Sequence, residues 1–199
     1  MRKFERTAPP QYLTDNWEKW GLDYAKKKQA NLNYTFQWKQ YTKKKVNQLL
    51  LPFLTAQTDA HCSYCDHFPM GISDDTIDHF SPKGDTRFYH LVYNWLNLYY
   101  CCADCQSAKM ELFDLGLLRP DDEMFSFERF FIVKFATGEI ESNPSANQDE
   151  QMRANITISI LQLNDNARCT SRKHAIQRFQ AINEINRDLN DFPYRFLFK

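Results

Sequence analysis

Two cysteine pairs and the Asp-His dipeptide between them are the residues of this chain whose types and spacing suit chemistry. Cys62-Ser63-Tyr64-Cys65 and Cys102-Ala103-Asp104-Cys105 share the spacing C-x-x-C, with 36 residues between them. Each such turn brings two sulfurs to one ion, so the pair of turns supplies the four thiolates of a closed, tetrahedral Zn2+ site. Asp78-His79 places a hard carboxylate beside an imidazole. The carboxylate is a natural Mg2+ ligand, and a neutral imidazole near its ordinary pKa takes a proton from water at physiological pH. In a strand the two side chains diverge and serve different partners. The sulfurs read as frame and the Asp-His pair as chemistry suited to phosphodiester hydrolysis.

Other candidates are weaker. Cys101 would form a C-x-x-x-C with Cys105 and is read as a buried neighbour, while Cys169 is read as a lone thiol. His61 and His67 flank the first knuckle but are not needed as ligands, His90 is read as packed within an aromatic run, and His174 as solvated. Trp17, Trp20, Trp38 and Trp95 are read as core. A zinc-stapled module without catalysis remains open, because most four-cysteine sites are structural.

The surrounding elements must hold these groups. Residues 1–10 end in Ala8-Pro9-Pro10, which predicts an extended arm. Apolar spacing predicts a helix from Gln11 to about Lys28, and a second, capped by Asn33 or Thr35, to about Leu51. Lys26-Lys27-Lys28 and Lys43-Lys44-Lys45 then lie on helices, as solvated faces or as a track for phosphates. Thr76–Phe80 reads as a strand, residues 89–100 as a buried aromatic run containing a second strand, and residues 103–112 as a short helix. Asp121-Asp122-Glu123 suggests a helical turn, and residues 130–135 and 139–141 a β-hairpin around Ala136-Thr137-Gly138. Residues 147–163 and 166–190 carry apolar positions at helical spacing.

The fold class expected is α+β and mostly helical. A basic N-terminal region spans 1–58, a zinc-clamped core 59–115, and a β-hairpin with C-terminal helices 116–199. Net charge is zero but unevenly spread: +7 over residues 1–50, −4 over 51–110, −7 over 111–151 and +4 over 152–199. Local patches rather than the whole-chain balance set the field that a phosphate backbone meets, so the basic ends remain candidates for nucleic acid. No apolar run reaches the roughly 20 residues of a membrane span, and Met1–Arg6 does not open a signal peptide. A cytoplasmic location is expected, where reduced thiols favour metal over disulfides.

The pattern C-x-x-C, then Ile77-Asp78-His79-Phe80-Ser81-Pro82-Lys83, then Trp95-Leu96-Asn97-Leu98, then C-x-x-C-x-x-x-Lys109 resembles the HNH endonucleases. More narrowly it is similar to the PtuB-type HNH proteins encoded with retrons and Septu anti-phage systems. Phe127–Phe130, Gly138–Ile140 and Ile160–Asn164 extend the likeness, weakly, beyond residues 62–109. The resemblance implies a central ββα-metal core, with an N-terminal helical hairpin and C-terminal helices around it. It implies structural Zn2+ on Cys62, Cys65, Cys102 and Cys105, and a catalytic Mg2+ or Mn2+ bridging the scissile phosphate and the 3′ oxygen. By the same resemblance His79 is the general base, Asp78 a ligand of the catalytic ion, and Asn97 the residue that orients loop and base. Gln106 stands where the family usually has Asn or His as the second ligand. Lys83, Lys109 and Arg87 are the candidate phosphate contacts. The implied activity is a defence nuclease, on DNA more than RNA, with an ABC or SMC-like ATPase and possible association with a reverse transcriptase and its RNA–DNA product. Two alternatives accompany it, a nuclease for structured RNA and a catalytically weak zinc-stapled adaptor.

Overall fold

The computed structural model describes residues 1–70 and 76–198 and has a mixed α+β architecture. Helix α1 is one turn, Gln11–Thr14, and α2 runs Trp17–Ala30. The segment 31–39 that follows is extended, unlike the helix its apolar content suggested. Asn31 Oδ1 accepts from the Asn33 amide at 3.0 Å, a turn of the kind asparagine favours. Beyond it Tyr34, Phe36 and Trp38 are half-buried while Thr35 and Gln37 are exposed, the period of two that belongs to extended chain.

Strands β1 (Gln40–Tyr41) and β2 (Lys44–Lys45) then form a small hairpin. Thr42 and Lys43 turn it with φ of 47° and 68°, so the second lysine triplet lies on a hairpin and not on a helix. Helix α3, Val46–Gln57, starts later and ends later than expected, passing through Pro52. Val46, Leu50 and Leu54, four residues apart, are its buried stripe.

The central unit is strand, loop, strand, helix. Strand β3 (Thr76–His79) pairs antiparallel with β4 (Leu98–Cys101), Asp78 opposite Tyr99 and His79 opposite Leu98. The loop between them holds two single 3-10 turns, Tyr89–Leu91 and Trp95–Asn97. Helix α4, Ala103–Lys109, begins directly after β4 and buries Cys105 and Lys109, four residues apart on one face. Alternation divides the ladder: Ile77, Leu98 and Tyr100 pack with α2 and α3, whereas Phe80, Tyr99 and Cys101 pack with the cysteines and with Leu117 to Leu163. Gly21 of α2 lies against the first 3-10 turn so closely that a Cβ would sit 2.1 Å from the His90 carbonyl oxygen. His90 itself is exposed, not packed as expected.

The C-terminal part begins with α5 (Phe127–Phe130), running into the hairpin of β5 (Phe131–Lys134) and β6 (Glu139–Ser142). Residues 121–123 form turns without a helix. Helix α6, Gln148–Ile160, opens with a capping box between Asn147 and Glu150. Helix α7, Asn166–Ala181, stops nine residues short of the expected 190 and gives way to three 3-10 turns. The arm lacks regular structure but is not free: Met1 is buried in the cysteine-side core and the Phe4 amide donates to the Pro120 carbonyl at 3.2 Å. Among the described residues no helix is long and apolar enough to cross a membrane.

Candidate metal centre and Asp-His site

The four cysteines named from their spacing meet at one point. Cys62, Cys65, Cys102 and Cys105 are buried, and their sulfurs lie within 4.8 Å of one another. Thiolates each 2.3 Å from a tetrahedral centre stand about 3.8 Å apart, and the Cys65 and Cys102 sulfurs are 3.7 Å apart. Contact with the sulfurs of Cys102, Cys62 and Cys65, then burial, pushes the Cys105 thiol well above its usual range. A divalent cation among them reverses that penalty, so the donor set and its spacing fit zinc. Cys101 is buried outside the cluster, its sulfur 3.3 Å from the Thr76 hydroxyl.

Two arginines that the sequence did not single out hold this centre. Arg168 of α7 donates to the Cys105 sulfur at 3.3 Å, giving the thiolates a nearby cation. Arg195 sits across the chain against the knuckle: its guanidinium bonds both oxygens of Asp66, the residue after Cys65, with 2.8 Å as the shortest contact. It also reaches Asp59 and the Thr58 carbonyl, and its backbone amide donates to Asp66 at 2.6 Å. No local spacing announces a bond that spans 129 residues.

The Asp-His pair faces two ways. Asp78, 5% exposed, points to the cysteine side, where its carboxylate accepts from the Tyr64 hydroxyl at 2.8 Å and pairs with the Lys109 ammonium at 3.0 Å. Burial lifts the Asp78 carboxyl above its usual range, with Lys109 pulling the other way. Lys109 is fully buried and also donates to the His79 carbonyl at 2.7 Å. It therefore joins α4 to β3 and offers nothing to a phosphate outside, which corrects its expected role.

His79, also 5% exposed, points to the N-terminal side. Its Nε2 lies 2.9 Å from the Val92 carbonyl oxygen, which can only accept, so Nε2 carries the proton and Nδ1 is left as the base. Burial, with Lys83 adding, lowers its pKa to about 3, so the ring is neutral at physiological pH. The extended segment after α2 covers it: Trp38 stacks on the imidazole at 5.6 Å and 22°, and Phe36 meets it edge-on at 5.1 Å. Trp38 is thus part of the core, as expected, and at the same time the roof of the histidine.

Asn97, 4% exposed, clamps the loop after β3. Its Oδ1 accepts from the Ser81 amide at 2.7 Å, and its Nδ2 donates to the Ser81 and Leu91 carbonyls at 3.2 and 3.1 Å. Gln106 donates its Nε2 to the Ile77 carbonyl at 3.2 Å. Lys83 is half-buried and pairs with Glu111 at 3.2 Å; Arg87 is exposed and forks onto Asp85 at 2.6 Å. The structure thus gathers Asp78, His79, Asn97, Gln106 and Lys109 on one strand-loop-strand-helix unit and leaves Lys83 and Arg87 at its edge. As arranged, the residues named for a catalytic ion do not fit one, since the Lys109 ammonium holds the Asp78 oxygen and Gln106 turns its amide nitrogen to a backbone carbonyl.

The sequence matches no protein-family model and no curated protein.

Proposed function

We propose that this chain is an HNH-type endonuclease that hydrolyses phosphodiester bonds of nucleic acid, DNA more readily than RNA. The observation that carries this reading is the state of His79. A neutral imidazole whose Nε2–H is fixed on a backbone carbonyl presents Nδ1 as a general base of defined direction. It lies beside a buried carboxylate in a unit framed by four cysteines, with Asn97 fixing the loop after it. In this reading Nδ1 takes the proton of the attacking water, Val92 holds the ring, and the cysteine cluster holds the frame. The motif likeness of residues 77–83 and 95–98 supports the class of reaction, and the same likeness is the ground for a partner ATPase and a role in phage defence.

The test is cleavage of DNA and RNA side by side with Mg2+ or Mn2+, comparing the intact chain with His79→Ala. A positioned base contributes roughly 100-fold or more, so the variant should lose activity by at least that factor while keeping zinc and far-ultraviolet circular dichroism. Equal cleavage by the variant would remove His79 as the base. A second reading, a zinc-stapled adaptor that binds the ATPase or nucleic acid, is favoured by one observation: Asp78 and His79 are both covered and already partnered by groups of the chain itself. Tight binding of nucleic acid with no cleavage under any divalent ion would select it.

A further inference from the structure

We propose that nucleic acid lies on the β1–β2 hairpin and the outer face of α2, its phosphates met by Lys19, Lys26, Lys43 and Lys44. The proposal deepens the nuclease reading by naming the surface that takes the substrate, and it rests on that reading for the choice of nucleic acid among polyanions. The four lysines are exposed, and among the described residues none of their ammonium groups pairs with a carboxylate. Elsewhere on the surface Lys83, Arg87, Arg129 and Lys134 each have an acidic partner. The two basic ends of the chain therefore use their charge differently. At the C-terminal end Arg168 turns to the Cys105 sulfur, Arg172 to the Gly138 carbonyl and Arg195 to Asp66, so these cations serve the interior. At the N-terminal end the four lysines face outward, and unpaired charge of one sign sets a local positive field that attracts a polyanion.

Packing makes one face of residues that are apart in sequence. Tyr41 of β1 stacks on Tyr12 at 5.1 Å and meets Trp20 of α2 edge-on at 6.3 Å, which seats the hairpin against α1 and α2. Lys44 stands opposite Tyr41 in the ladder, so its side chain leaves the hairpin on the same side, and Lys43 forms the turn at its tip. Asp23 of α2 pairs with Lys39, the residue before β1, and with Lys27 at 3.0 Å. Lys19 lies four residues before Asp23 and Lys26 three after it, on the same helix face. Asp23 is engaged by Lys39 and Lys27, so it leaves the charges of Lys19 and Lys26 unpaired. The face also borders the Asp-His site, because Trp38, two residues ahead of β1, is the ring that stacks on His79. A phosphate backbone laid along the hairpin and α2 runs beside the segment that covers the candidate base.

The experiment reads binding, not cleavage: fluorescence anisotropy of a short labelled DNA duplex, and of the RNA duplex of the same sequence, on zinc-loaded protein without Mg2+ or Mn2+ over a series of salt concentrations. The intact chain should bind with an affinity that falls with salt. Lys43→Gln with Lys44→Gln, or Lys19→Gln with Lys26→Gln, should weaken DNA binding about tenfold at low salt and flatten the slope of log affinity against log salt by about 2. Lys173→Gln with Arg178→Gln removes the same charge from the C-terminal end and should leave both nearly unchanged. An equal loss in that control, or no loss in lysine pairs that retain zinc and circular dichroism, overturns the proposal. Acetylation of the intact chain, read by mass spectrometry, supplies a test that does not depend on a variant folding. Lys43 and Lys44 should react more slowly with the duplex bound and Lys173 at the same rate, and equal reactivity of all three with and without duplex overturns the proposal as well. Cleavage that depends on His79 alongside unchanged binding by the lysine pairs would refute this surface and leave the nuclease standing. Duplex binding that is lost in the lysine pairs, in a chain that never cleaves, would do the reverse.

Discussion

The two ends of the stretch from Cys62 to Lys109 are built on opposite principles. At the sulfur end four identical groups converge on a common point with their acceptors turned toward one another, an arrangement that is unfavourable until a cation joins it. At the Asp-His end each polar group already has a partner from the chain: Tyr64 and Lys109 for Asp78, the Val92 carbonyl for His79, the Ser81 backbone for Asn97. One end is incomplete without an ion and the other complete without one. The sulfur cluster thus calls for a cation, whereas Asp78 and His79 are already satisfied and covered by the chain itself.

The largest break in this contrast comes from the sulfur end. Cys102→Ser, or removal of metal by a chelator, should cost on the order of 10 kcal/mol of folding free energy and leave the central unit unfolded in thermal melts. A chain that loses zinc and melts unchanged would show that the sulfurs are not the frame. Next in size is Arg195→Ala. Both partners of the Arg195–Asp66 pair are buried, and truncating one member of such a pair costs about 3–5 kcal/mol. Urea unfolding should show that loss, and zinc should be released at lower denaturant, because Asp66 directly follows the first knuckle.

The Asp-His end gives a pH effect of its own. The folded-state pKa of His79 is lowered by burial to about 3 from an ordinary 6.5. Between those values the unfolded chain binds a proton that the folded chain refuses, so stability falls as pH drops through that window and is unaffected above it. The contribution is about 2 kcal/mol between pH 7.5 and pH 5. Because other groups titrate there too, the measurement is the difference in slope between the intact chain and His79→Asn, whose unfolding should depend less steeply on pH. Equal slopes would mean that the ring is accessible to protons and that Phe36 and Trp38 do not close it off.

How much of this could be read in advance follows the range of the interactions. The cysteine cluster was legible because its ligands lie in two short turns of fixed spacing, β3 because its β-branched and aromatic residues precede Pro82, and α4 because it starts at the second turn. The hairpin at residues 40–45 was not: Thr42-Lys43 adopts positive φ at both positions without the Asn or Gly that signals such a turn. The alternation Tyr34, Phe36, Trp38 was present in the sequence, but Asn33 and Thr35 read as caps of a helix running to about Leu51 and masked it. Lys109 stood at a motif position, and its burial could not be anticipated, because the partner that draws it inward is set by how α4 packs on β3. Tyr64, between Cys62 and Cys65, gave no hint that its hydroxyl would reach Asp78.

The smallest expected effect bears on Gln106, where the two ends meet. It adjoins Cys105 of the four-cysteine cluster and reaches from α4 to the Ile77 carbonyl on the strand that carries Asp78 and His79. Gln106→Asn shortens the side chain by one methylene, and the amide then falls short of that carbonyl. The lost hydrogen bond should cost about 1 kcal/mol, seen as a small drop in melting temperature with zinc retained. Cleavage should not rise, because the Gln106 amide is engaged with the Ile77 carbonyl and not with an ion. A large gain in cleavage instead would mean that Gln106 is a degraded ligand position, and that the closed Asp-His end of this chain belongs to an adaptor.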